Sequence, residues 1–145
     1  MRKKETTMKK LIISSLLILG LLSASNLAAQ SKIEITIKNV KEAKGTIRVA
    51  LFNNEKDFLK QALESKVVNA SDGTKVVFEN LKPGDYAVSV IHDVNENKEL
   101  DTGFMGIPQE PYGFSNDARG RFGPPSYDES KLTVKGDVKT SIKVE

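Results

Sequence analysis

The chain has 145 residues, with 22 Lys and Arg against 19 Asp and Glu, one histidine and no cysteine. Without cysteine, disulfides, thiol catalysis and cysteine-based metal sites are excluded. The formal charge of +3 comes from the first 29 residues, so it says little about the folded part.

The first 29 residues have the three zones of a secretory signal peptide. A basic start that includes Lys9 and Lys10 precedes an apolar stretch over residues 11–22, and small residues lead to a cleavage site after Ala29. We therefore predict export to the periplasm or the exterior of a bacterial cell, with Met8 as an alternative start. An uncleaved membrane anchor is the rival interpretation, but a membrane span needs about 20 apolar residues. Since no cysteine follows the apolar stretch, the protein is predicted not to be a lipoprotein.

Cleavage changes the charge balance of the chain. It removes five basic residues and one acidic residue, so residues 30–145 carry 17 basic and 18 acidic side chains. A net charge of −1 provides no basic field for nucleic acid. These 116 residues suffice for a single domain, and no transmembrane segment is predicted after leader cleavage.

Apolar and polar residues alternate along much of the chain after residue 31, which is typical of half-buried strands. The apolar positions in phase are Ile33, Ile35, Ile37, Ile47, Val49, Leu51, Val76, Phe78, Tyr86, Val88, Val90, Leu132, Val134, Val138, Ile142 and Val144. Short alternating strands separated by turn residues predict an all-β, antiparallel, immunoglobulin-like sandwich of about seven strands.

One short helix is predicted after the second strand. Asn53 or Asn54 can cap it, and Asp57 lies three residues after Asn54 in a box-like arrangement. The apolar residues on its shared face are Phe58, Leu59, Ala62 and Leu63. Core packing is the expected role of such a face, and a binding groove is the alternative.

A tight turn at Pro83 and Gly84 leads into the strand that carries Tyr86. Proline presets φ for the turn and glycine tolerates a positive φ. We expect Tyr86 to bury its ring and to hydrogen-bond its hydroxyl near the turn, as corner tyrosines of sandwiches do.

Five runs of the sequence resemble one family. They are residues 45–52 (GTIRVALF), 83–88 (PGDYAV), 92–93 (HD), 112–116 (YGFSN) and 120–125 (GRFGPP). They resemble exported bacterial proteins grouped as domain of unknown function 2141, and the resemblance covers nearly all of the mature chain. It implies a fold and an exported location but no activity. The Pro-Gly-x-Tyr element is also similar to that of transthyretin-like and carboxypeptidase regulatory-like sandwiches.

Residues 93–101 form an acidic run with an oxygen-bearing side chain at every second position. Asp93, Asn95 and Asn97 match the first, third and fifth ligand positions of an EF-hand loop, and Asp101 matches the ninth. Calcium is therefore the candidate cofactor at this run.

Two residues depart from the EF-hand pattern. Lys98 stands where glycine makes the sharp turn, and Phe104 stands where a bidentate glutamate closes the shell. No helix pattern flanks the run either, so an EF-hand is excluded, and a shorter Asp/Asn calcium loop in a sandwich is left. An Asx-rich turn that satisfies its own backbone is the simpler and favoured interpretation of the run, with calcium binding as the alternative.

Residues 102–127 follow with no strand or helix period, yet they are not polar filler. They contain five of the nine aromatic residues, namely Phe104, Tyr112, Phe114, Phe122 and Tyr127. A disordered linker would be poor in these residues. We predict a long ordered loop that folds over the sandwich or against its end.

Five residues, one just before the acidic run and four within residues 102–127, are candidates for binding an anionic or sugar ligand, with an envelope protein or a glycan as the partner. They are His92, Tyr112, Phe114, Arg119 and Arg121. Arginine suits carboxylates, phosphates and aromatic faces. The favoured interpretation of the arginines is that Arg119 and Arg121 tether their own loop through Asp117, Asp128 or a tyrosine ring, and ligand binding is the alternative.

The sequence contains no catalytic motif that we recognise. One histidine cannot form a two-histidine zinc site, and no Gly-x-Ser-x-Gly elbow occurs. The favoured function is an exported, non-enzymatic binding or structural module of the bacterial cell envelope, to which calcium stabilisation is an optional addition. One alternative is a small envelope hydrolase that uses His92 with Asp93 or Asp101. Another is an accessory domain that acts within a larger assembly.

Overall fold

The computed structural model describes residues 30–145. The predicted leader, its cleavage site after Ala29 and the alternative start at Met8 lie outside the described residues. The elements in chain order are β1 (Ser31–Lys38), β2 (Thr46–Phe52), β3 (Glu64–Asn69), β4 (Lys75–Leu81), β5 (Gly84–Asp93), β6 (Tyr112–Phe114), α1 (Tyr127–Ser130), β7 (Lys131–Val134) and β8 (Val138–Lys143). In this part of the chain, no helix has the length and apolar character needed to cross a membrane.

The strands form two sheets, which confirms the predicted sandwich-like, mostly antiparallel all-β fold. One sheet has the order β4-β1-β8, and the other has the order β3-β2-β5-β6. β7 also pairs with β5, so β6 and β7 divide one edge of that long strand between them. The pair β1 and β8 is parallel, which is possible because the rest of the domain forms the connection between them.

The alternating residues of the sequence form the core, as predicted. Ile33, Ile35 and Ile37 of β1 are buried, and the residues between them are not. Burial alternates in the same way through most of β2. The alternation of apolar and polar residues does not predict β3. In that strand half-buried positions alternate with exposed ones, and no residue is fully buried.

The corner tyrosine is confirmed, whereas the conformation expected of the turn before it is wrong. Tyr86 is buried, and its hydroxyl donates to the carbonyl oxygen of Lys82 at 2.9 Å. Gly84 does not have a positive φ and instead begins β5. The left-handed residue near this corner is Asn80, with φ of 59°.

The helix predicted after β2 is absent, and residues 53–61 form turns flanked by bends instead. The predicted cap bonds are present, since Asp57 N donates to Asn54 Oδ1 at 3.0 Å. Leu59 then has φ of 58°, which breaks the helical path. Of the predicted apolar face, Phe58 is buried, while Leu59 and Leu63 are largely exposed. One deeply packed phenylalanine therefore sets the path of this segment.

Residues 102–127 are ordered, as predicted, but they are not one loop without secondary structure. They contain β6 and lead into the only α-helix of the described residues, α1. Ser126 caps α1, and its side chain and that of Glu129 bond to each other's backbone N–H, which lowers the pKa of Glu129. Ser-x-x-Glu is a sequence signal for such a cap.

Strand β6 joins the two sheets along one side of the sandwich. Tyr112 and Glu145 exchange backbone hydrogen bonds of 3.2 and 3.1 Å. A Cβ atom on Gly113 would lie 2.2 Å from the carbonyl oxygen of Lys143. Only glycine lets β6 approach the chain end so closely.

Four aromatic residues, Phe52, Phe58, Phe114 and Tyr127, form what we call the aromatic cluster. The ring of Phe58 lies 5.3 to 6.3 Å from the other three rings. The hydroxyl of Tyr127 donates to the carbonyl of Asp85 at 2.8 Å, and burial raises the pKa of Tyr127. The cluster therefore covers the beginning of β5.

Candidate functional site

The acidic loop, residues 93–101, begins at the opposite end of β5. At about 3.3 Å per residue, Asp93 lies roughly 26 Å along the strand from Asp85. The connection between β1 and β2 packs directly on the start of the loop. A Cβ atom on Gly45, whose φ is 76°, would lie 2.2 Å from the carbonyl oxygen of Asp93. Glycine is therefore required where these two segments meet.

Asp93 is fully buried, and its two carboxylate oxygens differ in environment. Oδ2 accepts from the backbone N–H of Lys98 at 2.9 Å. Oδ1 is buried and has no hydrogen-bond partner among the described residues. No Lys or Arg of residues 30–145 forms an ion pair with Asp93. A buried carboxylate oxygen without a partner is energetically costly.

The other three predicted metal ligands contact one another. The side-chain amide of Asn97 donates to Asp101 Oδ1 at 2.8 Å, and that of Asn95 donates to Asp101 Oδ2. The amide oxygens of Asn95 and Asn97 accept from backbone N–H groups two residues further on, at 3.0 and 2.9 Å. The bonds to the backbone N–H groups are those of Asx turns. The loop therefore contains the Asx turns of one interpretation and the clustered side chains that the calcium interpretation requires.

Lys98 has the backbone conformation that glycine has at the corresponding position of an EF-hand calcium loop. Its φ is 71°, which is the left-handed region that glycine normally supplies for a sharp turn. The backbone N–H of Lys98 points to Asp93. At this position the residue type differs from that of a calcium loop, whereas the sharp backbone turn is present.

Glu110 belongs to this region, and the sequence interpretation missed it. Its side chain is only 6% exposed. Oε1 accepts from Val94 N at 2.9 Å, and Oε2 accepts from Asp101 N at 3.2 Å. Glu110 thus holds both ends of the acidic loop, whereas Phe104, at the expected closing position, is 88% exposed. The position of Glu110 depends on how the chain folds back to the acidic loop, and the sequence pattern gives no signal of that path.

His92 is buried behind the loop and is bound to the backbone. Its Nε2 lies 2.8 Å from the carbonyl oxygen of Lys44, so that nitrogen carries the proton and donates. Within residues 30–145 the ring makes no hydrogen bond to Asp93 or Asp101. A pocket of about 370 Å³ adjoins it, and Asn95, Asp101 and Glu110 are among the residues that line the pocket.

The five residues proposed to grip an anionic or sugar ligand do not form one site. Phe114 lies in the aromatic cluster and pairs with Ser89. Ser89 is three positions before His92 in β5, so Phe114 and His92 are on opposite faces of the sheet. The guanidinium of Arg119 lies 5.9 Å from the ring centre of Tyr112 and 3.1 Å from Glu145. These contacts correspond to the expected tether through a tyrosine ring, with Glu145 as its acidic partner in place of Asp117 or Asp128. Arg121 is exposed and forms no ion pair within the described residues.

Asp117 and Asp128, the acids considered as partners for the arginines, bind lysines instead. Asp117 Oδ1 accepts from Lys143 N at 2.9 Å, and Asp128 lies 3.1 Å from the Lys131 ammonium. This contact is the main cause of the raised pKa of Lys131. The Lys131 ammonium also lies 3.8 Å from Asp85, at the end of β5 opposite the acidic loop.

The described residues contain no three His, Asp or Glu side chains that stand close enough together to hold a metal ion. The candidate set instead combines carboxylates with the amide oxygens of Asn95 and Asn97. Calcium accepts both kinds of oxygen, as well as backbone carbonyls and water. In the present conformation those amide oxygens bind backbone N–H groups, so calcium binding would require the amides to reorient.

The profile of a family described as "Uncharacterized protein conserved in bacteria (DUF2141)" matches residues 35–143. The chain belongs to this family. The match confirms the resemblance seen in the sequence motifs, and its range includes the acidic loop and Glu110. No curated protein and no solved structure matches the chain. The description of DUF2141 gives no activity.

Proposed function

We propose that residues 30–145 form an exported, non-enzymatic binding or structural module of the bacterial cell envelope, and that its acidic loop binds a calcium ion. The observation that carries the calcium proposal is the buried oxygen of Asp93 without a partner. A cation beside this oxygen would offset the cost of burying it.

The charge of the loop supports the same proposal. Residues 93–101 contain four acidic side chains and one lysine, and the buried carboxylate of Glu110 adds to them. Like charges packed together are destabilising when no counter-ion is present. Oxygen ligands at this density suit a hard cation, and extracellular calcium modules have Kd values of about 0.1–1 mM.

Two observations support a non-enzymatic, exported role. His92 is buried and uses Nε2 to hold the backbone, which is what a structural histidine does. The leader-like first 29 residues support export, which cell fractionation and the mass of a mature chain beginning at Gln30 would test. A substrate hydrolysed by the wild type and not by His92→Ala would contradict the non-enzymatic part.

The calcium proposal is tested with wild type, Asp93→Asn and Glu96→Gln. We expect wild type to release or absorb heat on titration with calcium and to melt at a higher temperature. The gain is about 2.7 kcal/mol at a calcium concentration about 100 times the Kd. Asp93→Asn should lose this response, yet be at least as stable as wild type in EDTA, because it removes a buried charge.

Glu96→Gln is the matched control, since Glu96 is exposed and lies outside the proposed ligand set. It removes one charge from the same loop and should keep the calcium response. The calcium proposal is wrong if wild type shows neither heat nor a rise in melting temperature at millimolar calcium. An equal response in wild type and Asp93→Asn would also refute it.

A further inference from the structure

An apolar turn, which we define as residues 103–107, projects from the acidic loop. Phe104, Met105 and Ile107 are 88%, 83% and 64% exposed. Such exposure of large apolar side chains is uncommon on a protein that has no partner. Inside the turn, Gly103 N donates to the carbonyl oxygen of Ile107 at 2.7 Å. The turn is therefore a defined projection with internal hydrogen bonds.

The base of this turn is formed by residues of the candidate calcium site. The chain leaves the acidic loop at Asp101 and returns at Gln109, whose N–H donates to the carbonyl oxygen of Asp101 at 2.7 Å. Thr102 and Pro108 form a bridge just above. Glu110 follows at once and binds Asp101 N. Whatever fixes Asp101 and Glu110 therefore also fixes both ends of the turn.

Two buried carboxylates, those of Asp93 and Glu110, lie next to the peptide bond between Asp93 and Val94 at this base. Asp93 lies on one side with its unpartnered Oδ1, and Val94 on the other donates to Glu110 Oε1. Each oxygen of Glu110 accepts one described backbone bond, which leaves further acceptor capacity on both. No Lys or Arg of residues 30–145 forms an ion pair with Glu110.

We infer that Glu110 is the carboxylate that closes the calcium site, and that calcium binding thereby clamps the base of the apolar turn. The inference rests on the proposed calcium function and adds a ligand and a regulatory consequence to it. In the described conformation Asp93, Asp101 and Glu110 are not gathered closely enough to hold a metal ion. Binding therefore draws these carboxylates together and links the acidic loop to a residue beyond the turn. The order of the apolar turn, which carries the exposed Phe104 and Met105, then depends on calcium.

The test compares Glu110→Gln with Glu99→Gln, because both changes remove one charge at nearly constant size. Glu99 is exposed, and only its backbone N–H takes part in the loop bonds. Loss of a ligand should weaken calcium binding by at least about tenfold, whereas Glu99→Gln should change the Kd far less. Circular dichroism in EDTA establishes that both variants are folded.

The second readout is cleavage by chymotrypsin after the exposed Phe104. We expect saturating calcium to slow this cleavage in wild type and in Glu99→Gln, and to have little effect in Glu110→Gln. If Glu110→Gln binds calcium as tightly as Glu99→Gln while Asp93→Asn does not bind, the inference is overturned and the proposed function stands. If wild type binds no calcium, both fail.

Hydrogen exchange of the wild type decides the matter if Glu110→Gln does not fold. The amides of Val94 and Asp101 donate to Glu110, so calcium should slow their exchange together with that of Lys98. Slower exchange at Lys98 alone would show that the ion binds the acidic loop without Glu110, and would overturn the inference.

Discussion

The two ends of β5 are stabilised by different means. The aromatic cluster at the beginning of the strand is held by buried rings, with one hydroxyl bond from Tyr127 to the backbone. The acidic loop at the end of the strand is held by hydrogen bonds among polar side chains and backbone. Two buried carboxylates take part, Asp93 of the loop and Glu110 from beyond the apolar turn. The first end should be indifferent to ions, whereas the second should depend on them.

The difference follows from the physics of each contact. Burying a phenylalanine side chain contributes about 1.5–3 kcal/mol, and an aromatic pair adds about 0.5–1.5 kcal/mol. A typical hydrogen bond contributes only about 1 kcal/mol net, and an unpaired buried polar atom costs about as much or more. Without a cation, the hydrogen bonds of the acidic loop should therefore contribute little net free energy to its stability.

The largest expected effect is at the aromatic cluster. Phe114→Ala should destabilise the protein by about 3–5 kcal/mol, because it removes a buried ring and leaves a cavity. Chemical denaturation should show the same loss in EDTA and in calcium. Phe122→Ala is the control, since Phe122 is 98% exposed, and it should change stability by no more than about 0.5 kcal/mol. A loss at Phe114 that depends on calcium would contradict the separation of the two ends.

An intermediate effect is expected from two glycines that permit close approach. Gly45→Ala and Gly113→Ala would each place a Cβ atom 2.2 Å from a carbonyl oxygen, so each should cost about 1–3 kcal/mol from overpacking. Strain at the positive φ of Gly45 adds to the first. Only Gly45→Ala displaces Asp93, so only it should weaken calcium binding measured by calorimetry. Equal weakening by both variants would mean that the site senses global stability alone.

The smallest effect is expected at the two arginines. Arg119→Ala removes a partly exposed ion pair with Glu145 and the contact with the Tyr112 ring, which together are worth about 1 kcal/mol. Arg121→Ala should change stability by less than about 0.5 kcal/mol. Thermal melts of both variants give the comparison. A larger loss for Arg121 than for Arg119 would show that the tether has been assigned to the wrong residue.

The strands that the sequence predicts correctly are those in which one face is buried. In β1 and β2 the hydrophobic period and the burial pattern agree, so the local pattern determines the structure. β6 has only three residues, too few for a period, and it exists because Gly113 allows contact with the other sheet. The predicted helix is absent because Phe58 belongs to a cluster whose other members lie elsewhere in the chain.

The candidate site shows the same division between local and long-range information. The spacing of Asp93, Asn95, Asn97 and Asp101 could be read from the sequence because a curled loop brings alternate residues together. Glu110 could not be found in that way, since it returns to the loop only after the apolar turn. Its ligand-like character follows from burial and two backbone bonds, which only the folded chain displays.

The parallel pairing of β1 with β8 has a consequence for how the domain folds. Ile33 of β1 lies beside Val138 of β8, and Lys32 N binds the Asp137 side chain across 105 positions of sequence. Contacts of such long range slow folding, because the intervening chain must first be closed into a loop. The β4-β1-β8 sheet cannot be completed until its last strand is present. If the protein is exported as we propose, the late synthesis of β8 delays folding and favours transport of the unfolded chain across the membrane.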